Sequence, residues 1–250
     1  MKRSLAILTL VTCCLIPAQD NQVTLIAPGG ARAAIEQLIP AFERTTGFRV
    51  KAAFGSGLGT KKQVAGGEAF DVPVVQPPYP EVLASGNVVA ASARTLASVA
   101  VGVAVRKGAA HPDISTSAAV KQLLLNAKSI AYPNPSGGAA AGVSFEDTLR
   151  RLGISTQIAP KVKLAQGGAG AMTMAANGEV EIGLTFLSEM ETPGIDVLGA
   201  LPPDISTPTS LVGFVSAHAK NPVAAKSLLD YLTAPEAAPV YKRLGMQPGH

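Results

Sequence analysis

The apolar positions of this chain fall into short continuous runs separated by longer stretches with helical spacing. Val23–Ala27 is a continuous apolar run, as a strand buried on both faces requires. Ile35, Leu38, Ile39 and Phe42 then recur at helical spacing within Ala31–Thr46, and Gly47 stands where a left-handed helix end is expected. The same reading predicts strands over Phe48–Phe54, Asp71–Gln76, Val99–Arg106, Ile130–Tyr132, Val162–Ala165, Ile182–Phe186 and Leu211–Ser216. Helices are predicted over Gly59–Ala65, from a Ser117 cap through Asn126, and over Val143–Leu152 and Ala169–Ala176. Two more follow, one opened by Asn221-Pro222 and running through Leu232, the other over Pro235–Leu244. Pro73 counts against the third strand, because proline removes a ladder donor. Strands alternating with helices imply an α/β fold whose sheets are largely parallel and flanked by helices.

The first eighteen residues fall outside this pattern. Met1-Lys2-Arg3 is a basic start, and Ser4 to Pro17 is almost wholly apolar, ending at the small residue Ala18. That stretch is too short for a bilayer span of about 20 residues and suits a secretory signal over 1–18. The alternative, lipid attachment at Cys13 or Cys14, fits the residues before them poorly. A periplasmic or otherwise secreted protein is expected. Both cysteines lie in this segment, so the rest of the chain carries no disulfide and no thiolate for catalysis or metal binding.

Composition narrows the function classes. Apolar residues make up 47% and charged residues 15%, a profile that folds rather than stays disordered. Without Lys2 and Arg3 the chain has 19 basic against 17 acidic residues, and no basic cluster exceeds Lys61-Lys62. Nucleic acid is therefore not an expected partner. His111, His218 and His250 are scattered, with no i, i+4 pair, and no G-x-S-x-G elbow occurs. The glycines near Gly55 do not match a dinucleotide fingerprint. No metal and no cofactor are expected.

Four strand-to-helix junctions are rich in glycine: Pro28-Gly29-Gly30-Ala31, Gly55 to Thr60, Asn134 to Gly138, and Gln166 to Gly170. Each sits where a sheet's carboxyl edge meets a helix start, whose free N–H groups and positive dipole end favour an anion. In open α/β sheets this is also the edge where ligands bind. One such loop means little, since glycine serves βα turns for steric reasons alone. Four of them, two in each half of the chain, point to a small anionic ligand. Arg32 beside the first glycine pair and Lys61-Lys62 after the second loop are the candidate cations, each weighed against an ordinary solvated surface role.

Val23-Thr24-Leu25-Ile26-Ala27, Phe54-Gly55-Ser56-Gly57, Gln63 through Asp71, Arg151-Leu152-Gly153 and Tyr241-Lys242-Arg243-Leu244-Gly245 together resemble the molybdate-binding type of periplasmic solute-binding proteins, which serve ATP-driven (ABC) importers. The resemblance implies a two-lobed periplasmic binding protein (type II) fold with a ligand cleft between the lobes. Lobe 1 is placed at 19–100 plus 206–250 and lobe 2 at 101–205. It also implies a monomer and an ABC permease as partner. Family members that hold molybdate use two serine hydroxyls, two backbone N–H groups and a tyrosine. Here Gly30 and Gly57 fall at the serine positions and Phe186 at the tyrosine, while the backbone donors map to Ala141 and Gly168. Gly29 belongs to the first loop, and Ser56 and Ser136 are candidate replacements for the missing hydroxyls. Loss of two side chains implies an enlarged pocket, suited to an organic di- or tricarboxylate slightly ahead of a molybdate-like oxyanion. The same resemblance extends to an exported enzyme, aconitate isomerase. That alternative, an allylic proton shift on a polycarboxylic acid, needs an acid–base group, for which Tyr132 and Lys61 are the candidates.

Overall fold

The first apolar run becomes an inner strand. β1 (Gln22–Pro28) pairs in parallel with β2 (Arg49–Gly55) along its whole length and with β3 (Val72–Val75) on its other side. Val23, Leu25 and Ala27 are consequently withdrawn from water altogether. β2 lies at the sheet edge and points Arg49 and Lys51 outward, charges that discourage pairing with another chain. The computed structural model describes residues 21–249, so the segment read as a signal, 1–18, lies outside the described residues.

α1 (Arg32–Thr46) links β1 to β2, buries Ile35, Leu38 and Phe42, and stops at Gly47, whose φ of 77° suits glycine. α2 (Gly57–Ala65) links β2 to β3, and α3 (Pro80–Ala84) follows. Pro73 is accommodated because its carbonyl accepts from Phe214 N at 2.9 Å, holding β3 through its acceptor side. Asp71, buried at the start of β3, ties three segments together. Its Oδ2 accepts from Thr24 N (2.8 Å) and Thr24 Oγ1 (2.7 Å), and its Oδ1 from Lys220 N (2.7 Å).

The strand expected over Val99–Arg106 starts at Val101, and Val99 instead ends a separate strand that was not predicted. β4 (Arg94–Val99) belongs with β1, whereas β5 (Val101–Arg106) begins a second sheet. Ala100 is the crossing point, and its carbonyl accepts from Leu187 N at 3.0 Å. The second sheet is then completed by α4 (Ser117–Asn126), β6 (Ile130–Pro133), α5 (Ala140–Leu152), α6 (Ser155–Ile158), β7 (Val162–Ala165), α7 (Gly167–Ala176), β8 (Ile182–Phe186) and β9 (Ile195–Ala200). Its strand order is β7-β6-β8-β5-β9. Leu201 N bonds Val101 O at 2.8 Å as the chain returns, so the two crossings lie side by side. β10 (Thr209–Gly213), α8 (Pro222–Thr233), α9 (Ala238–Arg243) and β11 (Met246–Pro248) finish the first sheet, ordered β11-β4-β10-β3-β1-β2.

Both sheets are mixed rather than largely parallel. The β1–β2, β1–β3, β6–β7 and β6–β8 pairs are parallel, while the pairs made by β4, β5, β9, β10 and β11 are antiparallel. Parallel neighbours need a helical crossover; strands that enter from a crossing need none and can arrive reversed. Several helix ends also differ from expectation: α2, α5 and α7 begin two or three residues earlier, at Gly57, Ala140 and Gly167. Thr116, not Ser117, caps α4 by accepting from Ala119 N at 3.1 Å, and Ser117 Oγ bonds Asp204 instead. The last helix is interrupted, a 3₁₀ turn over Pro235–Ala237 preceding α9.

Candidate functional site

All four glycine-rich junctions meet. β1 leads through a 3₁₀ turn, Gly29–Ala31, into α1, and β2 leads into α2 through Ser56, whose Oγ accepts from Gly59 N at 3.1 Å. From the other sheet come the junctions of β6 with α5 and of β7 with α7. Together they enclose a cavity of about 300 Å³ between the two sheets. The two sides touch at its rim: Leu58 N donates to Gly138 O (3.2 Å), and Ser188 Oγ donates to Gly30 O (2.8 Å).

Most of the residues singled out from the sequence line this cavity. Gly29, Gly30, Arg32, Ser56 and Gly57 do so from the first sheet's loops, and Ala141, Gly168 and Phe186 from the second. Ser136 does not; its loop contributes Asn134 and Gly137, while Ser136 N bonds Asn134 Oδ1 at 3.0 Å. Ser56 Oγ is already engaged as the α2 cap.

The two acid–base candidates fall outside the wall. Lys61 Nζ donates to Pro78 O at 2.7 Å and lies 3.9 Å from Glu81. Tyr132 packs its ring on Phe145, centroids 5.0 Å apart, and its hydroxyl donates to Glu146 at 3.5 Å. Burial, followed by the Glu146 charge, pushes the Tyr132 phenol up to about 12. Tyr132 lies within β6 one residue before Pro133, which lines the cavity, and its side chain packs on α5 instead.

Two polar residues on the wall had not been anticipated. Gln76, just past the end of β3, is 3% exposed, and neither its Oε1 nor its Nε2 has a hydrogen-bond partner. Glu189, in a 3₁₀ turn after β8, accepts from Thr185 Oγ1 at 2.5 Å. Its carboxyl stands between the two lobes. A Cβ built on Gly29 would lie 3.1 Å from Oε1, and one on Gly168 would lie 2.5 Å from Oε2. Burial raises the Glu189 carboxyl above the ordinary carboxylate range, against the opposing effects of the Thr185 bond and a Phe186 backbone bond.

These residues also alter the expected enlargement of the pocket. A Cβ on Gly30 would stand 2.9 Å from the Phe186 ring, and one on Gly57 would stand 2.5 Å from Gln76 Oε1. The space left by both glycines is therefore taken by a ring and a carboxamide. The wall carries only two charged side chains among the described residues, Arg32 and Glu189. Arg32 stacks over Phe54, 4.6 Å from the ring centroid, and pairs at 3.5 Å with Glu36 on the exposed side of α1. Among the described residues no group of three potential metal-binding side chains occurs.

The model of the family "Bacterial extracellular solute-binding protein" matches residues 23–247. The chain belongs to this family. Relatives of this solute-binding protein include an aconitate isomerase from a Pseudomonas species, 31% identical over an alignment that covers 98% of this chain and 95% of the relative. The molybdate-binding protein ModA of Azotobacter vinelandii is 30% identical over 236 residues, covering 91% and 90%. The solved structure of the Azotobacter vinelandii periplasmic molybdate-binding protein superposes with a TM-score of 0.75 at 20% identity, covering 90% of this chain and 98% of that one. The fold is thus the two-lobed type II form, and the four glycine loops converge on the cavity between its lobes.

Proposed function

We propose that this protein is an exported carrier that captures a small anion, a di- or tricarboxylate ahead of a molybdate-like oxyanion, between its lobes. We take lobe 1 as 19–100 plus 206–250 and lobe 2 as 101–205, the monomer as the working unit and an ABC permease as the recipient. The observation that carries this reading is the convergence of four helix starts from two sheets on one cavity. The preference for a carboxylate rests on Gly30, Gly57 and Phe186 standing where molybdate-holding members are expected to carry two serines and a tyrosine.

A thermal-shift panel tests it. Because the chain has no tryptophan, melting is followed by circular dichroism. Molybdate, tungstate, sulfate, phosphate, citrate and both aconitate isomers are each added in large excess. A ligand at about 1,000 times its dissociation constant adds roughly 4 kcal/mol, which raises the midpoint by several degrees in a chain of this size. A shift with citrate or aconitate and none with molybdate supports the carboxylate; a shift with molybdate alone refutes it.

Glu189 favours a second reading, a periplasmic isomerase of polycarboxylic acids. It is a titratable carboxyl on the cavity wall with its pKa displaced upward, whereas Tyr132 and Lys61 stand elsewhere. As a carboxylate it would take a proton from the methylene carbon beside a substrate carboxylate while the electron pair moves into the allylic system. The Glu189 carboxyl, its proton exchanged with solvent, would then protonate the far carbon of that system, shifting the double bond. Exchange of solvent deuterium into aconitate, absent in Glu189→Gln, would establish turnover. Binding without exchange would leave the carrier.

A further inference from the structure

We propose that Gln76 is a ligand-recognition residue, and that it selects anions carrying a hydroxyl beside a carboxylate over anions that only accept hydrogen bonds. The inference rests on the carboxylate reading above and names the ligand more narrowly.

Gln76 directly follows the wholly buried strand Val72–Val75, on the side of the cavity where Gly57 and Ala140 approach each other across the cleft. Its carboxamide is almost completely withdrawn from bulk water, yet both of its polar atoms are unpartnered. Buried amides are ordinarily satisfied, so an orphan pair facing a cavity marks a group whose partner comes from outside the chain. The position also depends on its neighbour. Gly57 has no side chain, and a Cβ there would stand 2.5 Å from Gln76 Oε1. Gly57 and Gln76 therefore form a matched pair, the small residue leaving room for the amide at the wall.

The amide's chemistry then narrows the ligand. A carboxamide offers N–H donors and a carbonyl acceptor side by side. A tetrahedral oxyanion without protons, such as sulfate or molybdate, satisfies the donors and leaves Oε1 desolvated and unpaired. A carboxylate with a neighbouring hydroxyl satisfies both, its oxygen accepting from Nε2 and its O–H donating to Oε1. Sites built to pair with a hydroxyl discriminate steeply against the analogue that lacks it, because the site's own polar atom is then stranded. An amide flip exchanges the two atoms and leaves the same donor and acceptor side by side, both unpartnered.

Titration calorimetry on the full chain with two matched pairs, malate against succinate and citrate against propane-1,2,3-tricarboxylate, reads the preference directly. In the native protein the hydroxyl-bearing member of at least one pair is expected to bind more than about tenfold tighter. In Gln76→Met, an unbranched replacement of similar size, that ratio is expected to fall to about twofold or less while melting stays near native. Equal binding of both members by the native protein overturns the role of Gln76 and leaves the carboxylate reading standing. An unchanged ratio in Gln76→Met also overturns it. Absence of binding by all four acids overturns both. The native comparison needs no variant, so a poorly folding Gln76→Met does not protect the proposal.

Discussion

The packing of Glu189 against its own lobe can be tested by Gly168→Ala. The added methyl would stand 2.5 Å from both Glu189 Oε2 and Thr185 Oγ1 and 2.8 Å from Glu189 Cδ. Ordinary contacts to carbon lie near 3.5–4 Å, so the overlap is about 1 Å against groups already bonded to each other at 2.5 Å. Overpacking by a methyl costs about 1–3 kcal/mol, and disturbing the Thr185–Glu189 bond about 1 kcal/mol more. Replacing glycine by alanine within α7 returns about 0.5–1 kcal/mol. The net expectation is a loss of about 1–3 kcal/mol, which lowers the melting midpoint by several degrees at roughly 2–4 °C per kcal/mol. The contact itself is isolated by a double-mutant cycle. In a Glu189→Ala background the methyl meets only a Thr185 hydroxyl that has been released to rotate, so the substitution should become neutral or stabilising. Urea unfolding followed by far-ultraviolet circular dichroism gives all four stabilities. A coupling of at least about 1 kcal/mol is expected, and equal costs in both backgrounds would refute the geometry.

Three further outcomes follow from the same structure. Because burial raises the Glu189 carboxyl, the folded state holds its proton more tightly than the unfolded chain. Stability should therefore fall as pH rises from the ordinary carboxylate pKa through the higher folded value, and Glu189→Gln should lose that component; a native-minus-variant difference that stays flat with pH would contradict it. Asp71→Ala strands three donors, Thr24 N, Thr24 Oγ1 and Lys220 N, and should cost about 3–5 kcal/mol in urea unfolding once the non-additivity of bonds to one carboxylate is allowed for; under about 1 kcal/mol would be too little. Arg32→Ala should weaken anion binding by about tenfold in calorimetry, while Lys61→Ala and Tyr132→Phe leave it unchanged within about twofold; the reverse ranking would move the site off this cavity.

Apolar runs and helix-end signals located the strands that carry the four loops, because burial on both faces and glycine at a left-handed position leave local traces. The crossing at Ala100 left none. Leu96 to Val105 is nearly continuous apolar sequence whether it is buried in one sheet or two, so composition cannot mark the change of sheet. β9 was missed for a related reason: Ile195–Ala200 alternates weakly and is only half-buried at an edge. At the site, glycine loops were legible as a class, whereas Gln76 and Glu189 were not. Each is a single polar residue just beyond a buried strand, and nothing in its neighbours reveals whether it turns inward. The position of Gln76 at the end of Val72–Val75 was the available signal, since that edge faces the ligand in open α/β sheets. Tyr132 shows the converse, a residue near a strand end whose side chain packs on a helix.

The paired crossings at Ala100 and Leu201 also separate the two sheets in time. Every strand of the second sheet lies between Val101 and Ala200, so that sheet can close from one contiguous stretch of chain. The first sheet cannot. β4 meets β10 only by joining Val99 to Thr209, and β3 waits for the same strand. Contacts between distant residues form late, and a chain synthesised from the amino end holds β3 and β4 with open edges until about the last forty residues appear. The half of the molecule that begins the chain is expected to be the half that finishes folding.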